Sequence, residues 1–116
     1  MHGLLLKETL EDCGVDVSGM LVDPAYFTTL AFVALKDGER SFSFARKPGA
    51  DTRLTKEEVR TELLKKTKIF HCGSLSLTDE PARSATLYAG ETARKAGALI
   101  SYDPNYRAPL WRSQEE

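Results

Sequence analysis

The chain has 116 residues, the usual size of one domain, and its 16 Lys and Arg side chains nearly balance 17 Asp and Glu side chains. No block of the sequence is strongly basic, which argues against nucleic acid as a partner. The longest apolar stretch, around residues 30–35, is far shorter than the roughly 20 residues that a membrane-spanning helix needs, so we expect a cytoplasmic protein that does not bind membranes.

The two cysteines, Cys13 and Cys72, are far apart and form no Cys-x-x-Cys pattern, so we expect both to be buried thiols. His2 and His71 complete no recognised ligand spacing, and no metal site is predicted. The first residues lack the charged region and cleavage site of a signal peptide.

The N-terminal third predicts a helix followed by a β-hairpin. Residues 3–13 carry apolar side chains at helical spacing, and Gly14 suits the position just after a helix. Residues 28–36 are rich in strand formers, residues 37–38 form an Asp-Gly tight-turn signal, and residues 41–45 alternate serine and phenylalanine. The alternation predicts that both phenylalanines lie on one half-buried face of the second strand.

The next segment predicts a turn and a short helix. The turn is the Lys-Pro-Gly-Ala-Asp sequence of residues 47–51. Thr55 and Glu58 then form a capping-box pattern, which is typical of a helix N-terminus. The apolar face of this helix is expected to carry Val59, Leu63 and Leu64.

The remaining sequence predicts a strand, a helix and a second strand. Residues 68–73 and 98–102 are the strands, and a helix between them, capped by Thr78 or Asp79, carries Pro81 in its first turn. Because this connection is too long for a hairpin, we expect a parallel βαβ unit. Small side chains suited to close packing on a sheet recur along the helix at Ala82, Ala85, Ala89, Ala93 and Ala96.

A polar cluster, Asp-Pro-Asn-Tyr-Arg, follows the last strand directly. It contains Asp103, Asn105 and Arg107 and lies where open parallel sheets bind ligands, beyond the carboxyl ends of the strands. An arginine there can bind a carboxylate, a phosphate or sugar hydroxyls, and an asparagine can donate and accept hydrogen bonds. The alternative is structural: Asp103 and Asn105 cap a turn, and Arg107 pairs with a nearby acid.

A second candidate lies at the end of the hairpin, where Arg46 follows Phe44 by two residues and could help to close over a ligand. The alternative is a solvated surface arginine. His71 lies in an apolar strand and is interpreted as a structural histidine. The sequence contains no phosphate-binding loop, GxGxxG, GxSxG or HExxH pattern, and the residues alone predict no catalytic group.

Six segments carry a family resemblance in collinear order: LLKETLEDCGVDVSG, TTLAFVALKDGERSFSFAR, GAD, KIFHCGSLSL, EPARSA and SYDPNYRAPLW. Together they closely resemble the middle of bacterial fructokinase-like sugar kinases of the PfkB, or ribokinase-like, family. The resemblance spans essentially all 116 residues. It implies an α/β fold, namely a segment of a doubly wound αβα sandwich with one βαβ unit and a β-hairpin of the lid.

The resemblance also implies a reaction, in which the γ-phosphoryl group of ATP is transferred with Mg²⁺ to a hydroxyl of a fructose-like sugar. Arg46 matches an arginine that reaches the sugar in some relatives, and Phe44 occupies an aromatic lid position. Ala45 departs from the tyrosine of many relatives. Arg107 matches a substrate-side arginine, and Asn105 is expected on the phosphate side. The resemblance places most ATP-binding and Mg²⁺-binding residues outside this chain.

The same resemblance divides the chain into residues 1–27, a helix and loop of the α/β domain, residues 28–46, the lid hairpin, and residues 47–116, the βαβ portion. The family's sugar-binding acid and Gly-Ala-Gly-Asp motif are not in this sequence, so we expect the segment to be inactive alone. Two alternatives are a non-catalytic remnant that assembles through its hairpin and a kinase with nucleoside specificity. A homodimer through the lid strands is also expected.

Overall fold

The computed structural model describes residues 2–113, which divide into two compact units between Asp51 and Thr52. No helix in this range is long and apolar enough to cross a lipid bilayer. The helices and strands, in chain order, are α1 (His2–Asp12), β1 (Leu30–Lys36), β2 (Glu39–Ala45), α2 (Thr61–Leu64), β3 (Ile69–Gly73), α3 (Ala82–Lys95) and β4 (Leu99–Asp103). The mixed α/β composition predicted from the sequence is confirmed.

Helix α1 ends as the sequence predicts. Gly14 adopts a φ of 78°, a left-handed conformation that glycine reaches without steric cost, and its N–H donates to the Glu11 carbonyl at 2.9 Å. The N–H of Val15 reaches back to the Leu10 carbonyl at 3.0 Å. Cys13 follows the helix and is exposed, so the expectation that it is a buried thiol is wrong.

Strands β1 and β2 form the predicted antiparallel hairpin, with Leu30 opposite Ala45 and Lys36 opposite Glu39. Asp37 and Gly38 have φ angles of 53° and 83°, the left-handed pair that a tight hairpin turn requires. The Phe42 and Phe44 rings lie on one face of β2 and stack with centroids 6.3 Å apart. Both rings are half-buried, as the serine–phenylalanine alternation predicts.

The second unit begins with the predicted capping box but not with the predicted continuous helix. The Glu58 carboxylate accepts the Thr55 N–H at 2.9 Å and the Thr55 hydroxyl at 3.0 Å. A single 3-10 turn follows, and Val59 is then extended with φ −68° and ψ 121°. A β-branched side chain lowers helix propensity, which fits an interruption at this residue, and α2 starts only at Thr61.

Strands β3 and β4 pair in parallel, from Ile69 opposite Leu99 to Gly73 opposite Asp103, and α3 connects them. This confirms the predicted βαβ unit. Helix α3 packs on both strands, and its tight approach is visible at Gly90, where an added Cβ would lie 3.4 Å from the Phe70 ring. Four alanines form the buried face of this helix: Ala82, Ala85, Ala89 and Ala93.

Two details of α3 differ from the sequence-based expectation. The helix begins at Ala82 with Pro81 in the N-cap position, whereas the Thr78 hydroxyl donates to the Leu75 carbonyl at 3.1 Å. Thr78 and Asp79 are therefore not the N-cap residue, because the first helical turn starts beyond them. Ala96 lies at the C-cap and is exposed, so the buried stripe stops one turn earlier than predicted.

The buried apolar residues of the described chain are small: Val17, four alanines of α3, and Ala98. None of the large side chains in residues 2–113 is fully buried. Leu35 of the hairpin is 73% exposed, and Leu99 of β4 is 71% exposed. Both units therefore present extensive apolar surface, the kind of surface that proteins normally cover with another part of a fold or with a partner.

We predict that the 116-residue chain produced alone binds the apolar dye ANS and melts over a broad temperature range, because so little large apolar surface is buried. Dye fluorescence and a thermal melt followed by circular dichroism, with mass measured by light scattering, test this. A sharp cooperative melt of a monomer that does not bind ANS would contradict it.

Candidate functional site

In the first unit, the base of the hairpin is held by a side-chain cluster around one carboxylate. Asp51 Oδ2 accepts hydrogen bonds from both Nε and Nη2 of Arg46, each at 2.8 Å. The other oxygen, Oδ1, accepts the hydroxyl of Thr29. The Arg46 side chain is only 7% exposed, whereas that of Asp51 is 46% exposed. We call Thr29, Arg46, Gly49 and Asp51 the Asp51 cluster.

The local sequence explains why these residues meet. Arg46 directly follows β2, and the N–H of Gly49 donates to the Arg46 carbonyl at 3.1 Å, which closes a tight turn. The N–H of Ala50 then donates to the Phe27 carbonyl at 2.9 Å, which returns the chain to the start of β1. A Cβ at residue 49 would overlap the Thr29 hydroxyl and lie 2.6 Å from Asp51 Oδ1, so the cluster requires glycine there.

This geometry refines the sequence-based interpretation of Arg46. The alternative of a solvated surface arginine does not hold, because the side chain is buried and ion-paired. Phe44 lies in β2, two residues before Arg46, and stacks on Phe42. The sequence pattern did not indicate Asp51 and Thr29 as partners of Arg46. The available signal was an acid five residues beyond an arginine, across a Pro-Gly turn.

In the second unit, the polar cluster lies at the carboxyl ends of β3 and β4, as predicted. Asp103 Oδ1 accepts the backbone N–H of Asn105 at 3.0 Å, which forms an Asx turn. Asn105 has a φ of 28°, a conformation that asparagine adopts more readily than most residues. Asp103 therefore orients this loop, as the structural alternative proposed.

Arg107 and Ser74 are the other polar groups at this edge. Arg107 is half-buried, and its Nη1 donates to the Tyr106 carbonyl at 3.3 Å. The Tyr106 ring stacks on Trp111 with centroids 6.3 Å apart. Ser74, directly after β3, is 2% exposed, and its hydroxyl has no hydrogen-bond partner among residues 2–113. A buried hydroxyl without a partner is unusual and makes Ser74 a further candidate polar contact.

His71 and Cys72 are the potentially reactive side chains of β3. His71 Nδ1 lies 3.0 Å from the hydroxyl of Ser101, its cross-strand partner, which fits the interpretation as a structural histidine. Cys72 is half-buried and not fully buried as expected, and this partial burial raises the pKa of its thiol, so the reactive thiolate is disfavoured at neutral pH. Within residues 2–113, no three His, Cys, Asp or Glu side chains are placed to hold a metal ion.

The family model described as pfkB family carbohydrate kinase matches residues 1–116. The chain belongs to the pfkB family. This confirms the resemblance inferred from its ordered segments. Among curated proteins, this pfkB-family chain is 53% identical over 115 residues to Fructokinase-1 of Oryza sativa subsp. japonica. The matched region covers 98% of this chain and 36% of that relative.

Solved structures of family members have the same fold. A fructokinase from Xylella fastidiosa with bound ATP has a TM-score of 0.84 and 38% identity, over 94% of this chain and 34% of its own. A fructokinase from Vibrio cholerae O395 in a fructose, ADP and calcium ion bound form has a TM-score of 0.84 and 34% identity, over 95% and 35%. The chain thus spans about a third of the length of these relatives and shows a partial segment of the ribokinase-like fold.

The Asx turn leads to a prediction for Asp103. Replacing Asp103 by Ala removes the acceptor and should speed amide exchange of Asn105 about fivefold, which corresponds to about 1 kcal/mol. Asp103→Asn keeps an oxygen at the acceptor position and should retain most of the protection. Amide hydrogen exchange measured by NMR on the full-length product of the gene compares the two. Equal losses in both variants would show that the charge of Asp103, and not its hydrogen bond, orders the loop.

Proposed function

We propose that this chain is the middle part of an ATP-dependent fructokinase, which transfers the γ-phosphoryl group of ATP to a hydroxyl of fructose. The observation that carries the proposal is the 53% identity to a rice fructokinase over nearly the whole chain. The match in fold to a fructose-bound fructokinase supports the same substrate class. Identity of this level over 115 residues extends well beyond any single motif.

Within this proposal, the hairpin residues Phe44 and Arg46 contact the sugar. The phenylalanine offers an apolar ring that can cover the sugar carbons, and the guanidinium offers N–H donors to sugar hydroxyls. Arg107 is the second substrate-side arginine, and Asn105 lies toward the phosphates. Phosphoryl transfer depends on positioning and on stabilising negative charge, and arginine and asparagine donors serve both purposes.

ATP supplies the phosphoryl group when it is bound, and a family member binds it in a solved structure. The family resemblance places most of the residues that would hold ATP and Mg²⁺ outside this chain. The carboxylates of Asp51 and Asp103 both accept structural hydrogen bonds, which leaves neither as a proposed catalytic base. We expect the 116-residue chain alone to be inactive, because the Gly-Ala-Gly-Asp motif of the family is not in its sequence.

A second candidate function, a non-catalytic binding or assembly module, is favoured by the hairpin surface. Strand β1 is exposed along its whole length, and its outer edge pairs with no strand of the described chain. Such an edge is a template for pairing with another strand. A homodimer through the hairpin is compatible with either function. We also propose a cytoplasmic location, on the basis of family membership and the balanced charge.

The full-length product of the gene that encodes this chain provides the test. Purified protein is assayed with ATP and Mg²⁺ against fructose, against glucose and against a nucleoside such as adenosine, and the 116-residue chain is assayed in parallel. Preferential phosphorylation of fructose supports the proposal. Phosphorylation of adenosine in its place would favour nucleoside specificity, and a product that phosphorylates none of them would favour the assembly module.

We predict that Arg107→Ala in the active full-length protein lowers kcat/KM for fructose by about 2–4 kcal/mol of transition-state free energy, because a charge-assisted contact is lost. Arg94→Ala is the matched control, since this exposed arginine near the C-terminus of α3 is not placed at the site. Steady-state kinetics on both variants measure the difference. Wild-type kinetics in Arg107→Ala would assign this arginine a purely structural role.

A further inference from the structure

We propose that Asp51 is the positioning residue of Arg46, and that the neutral pair they form selects uncharged, hydroxyl-rich sugars over acidic ones. The inference rests on the proposed contact between Arg46 and the sugar. It adds a residue to the site, because Asp51 acts through Arg46, and it adds a physical reason for the class of substrate.

Geometry carries the positioning role. A guanidinium has five N–H donors in one plane, and two of those of Arg46 converge on a single oxygen of Asp51. Two contacts to one oxygen hold this edge of the guanidinium at Asp51. The carboxylate is itself held, because its second oxygen accepts the Thr29 hydroxyl. A long side chain fixed in this way has already lost its rotational freedom before substrate arrives, which favours binding.

The contacts of Asp51 depend on the path of the local backbone, because the residues around it pack closely. Thr29 precedes β1, Arg46 follows β2, and Asp51 reaches both because the turn has no side chain at Gly49. The ion pair contrasts with Glu91 and Lys95 on α3, which are also 2.8 Å apart but which are both largely exposed. An exposed pair of that kind contributes little energy, whereas the buried guanidinium of Arg46 depends on its partner.

The proposed selectivity for neutral over acidic sugars follows from the charges of Arg46 and Asp51. The positive charge of Arg46 is compensated by Asp51, so the pair carries no net charge. A sugar hydroxyl can hydrogen-bond to a neutral pair without bringing a charge of its own. The carboxylate of a sugar acid would instead compete with Asp51 for the guanidinium and would be repelled by the 46% exposed carboxylate.

The experiment uses the full-length gene product, with fructose as substrate and gluconate, a six-carbon sugar acid, as inhibitor. Asp51→Asn keeps the size of the side chain and an acceptor for Thr29 but removes the charge. We expect the KM for fructose to rise about tenfold with kcat changed by less than about threefold, and the inhibition constant of gluconate to fall about tenfold. Thr29→Val, which replaces the hydroxyl by a methyl group of similar size, should raise the KM about threefold.

Glu91→Gln is the matched control, because it removes one carboxylate from an ion pair of the same length on α3. It should leave the KM and the gluconate inhibition unchanged. If Asp51→Asn melts at a lower temperature but keeps the wild-type KM and gluconate inhibition, the pair is structural only and the inference is overturned. If Asp51→Asn does not fold, Thr29→Val decides: a raised KM supports the inference and an unchanged KM overturns it.

The two levels of proposal fail in different ways. A wild-type protein that does not phosphorylate fructose removes the proposed function and the inference with it. An active wild-type protein whose Asp51 and Thr29 variants bind fructose and gluconate normally removes the inference alone.

Discussion

The hairpin unit depends on the contacts that the Asp51 carboxylate makes with Thr29 and Arg46. It joins the residue before β1 to the residue after β2, so both strands are anchored at one point by side chains as well as by their backbone pairing. The same carboxylate compensates a nearly buried guanidinium, which would otherwise be costly to remove from water. The Asp51 carboxylate therefore holds the base of the hairpin and also neutralises the guanidinium that is proposed to bind the sugar. Glycine at residue 49 leaves the space that this carboxylate and Thr29 occupy.

In the second unit, small side chains contribute more to the packing of the helix on the strands than large ones do. The alanine face of α3 lets the helix approach β3 and β4 closely, and the parallel pairing then brings Gly73 and Asp103 to the same edge. The Asx turn of Asp103 begins at this edge and directs the chain toward Arg107. A polar loop is therefore positioned by a compact apolar contact behind it, which is how open parallel sheets present ligand-binding residues.

The sequence predicts much of this fold because its signals are local. The Asp-Gly turn, the glycine after α1 and the βαβ spacing each depend on neighbouring residues, and all three are confirmed. The interruption at Val59 and the late start of α3 were missed, because several short-range preferences compete there. The Asp51–Thr29 contact was missed for another reason. It joins residues 22 positions apart, and only the folded hairpin shows that they meet.

The hairpin is long enough that a small rotation at its base moves its tip by several ångströms. Seven paired residues per strand, at about 3.3 Å per residue, place the Asp37-Gly38 tip about 20 Å from the base. At that radius, a rotation of about 10° about the base moves the tip by about 3.5 Å, close to the advance of a single strand residue. Small changes in the contacts of Thr29, Arg46 and Asp51 at the base are therefore amplified at the tip of the hairpin.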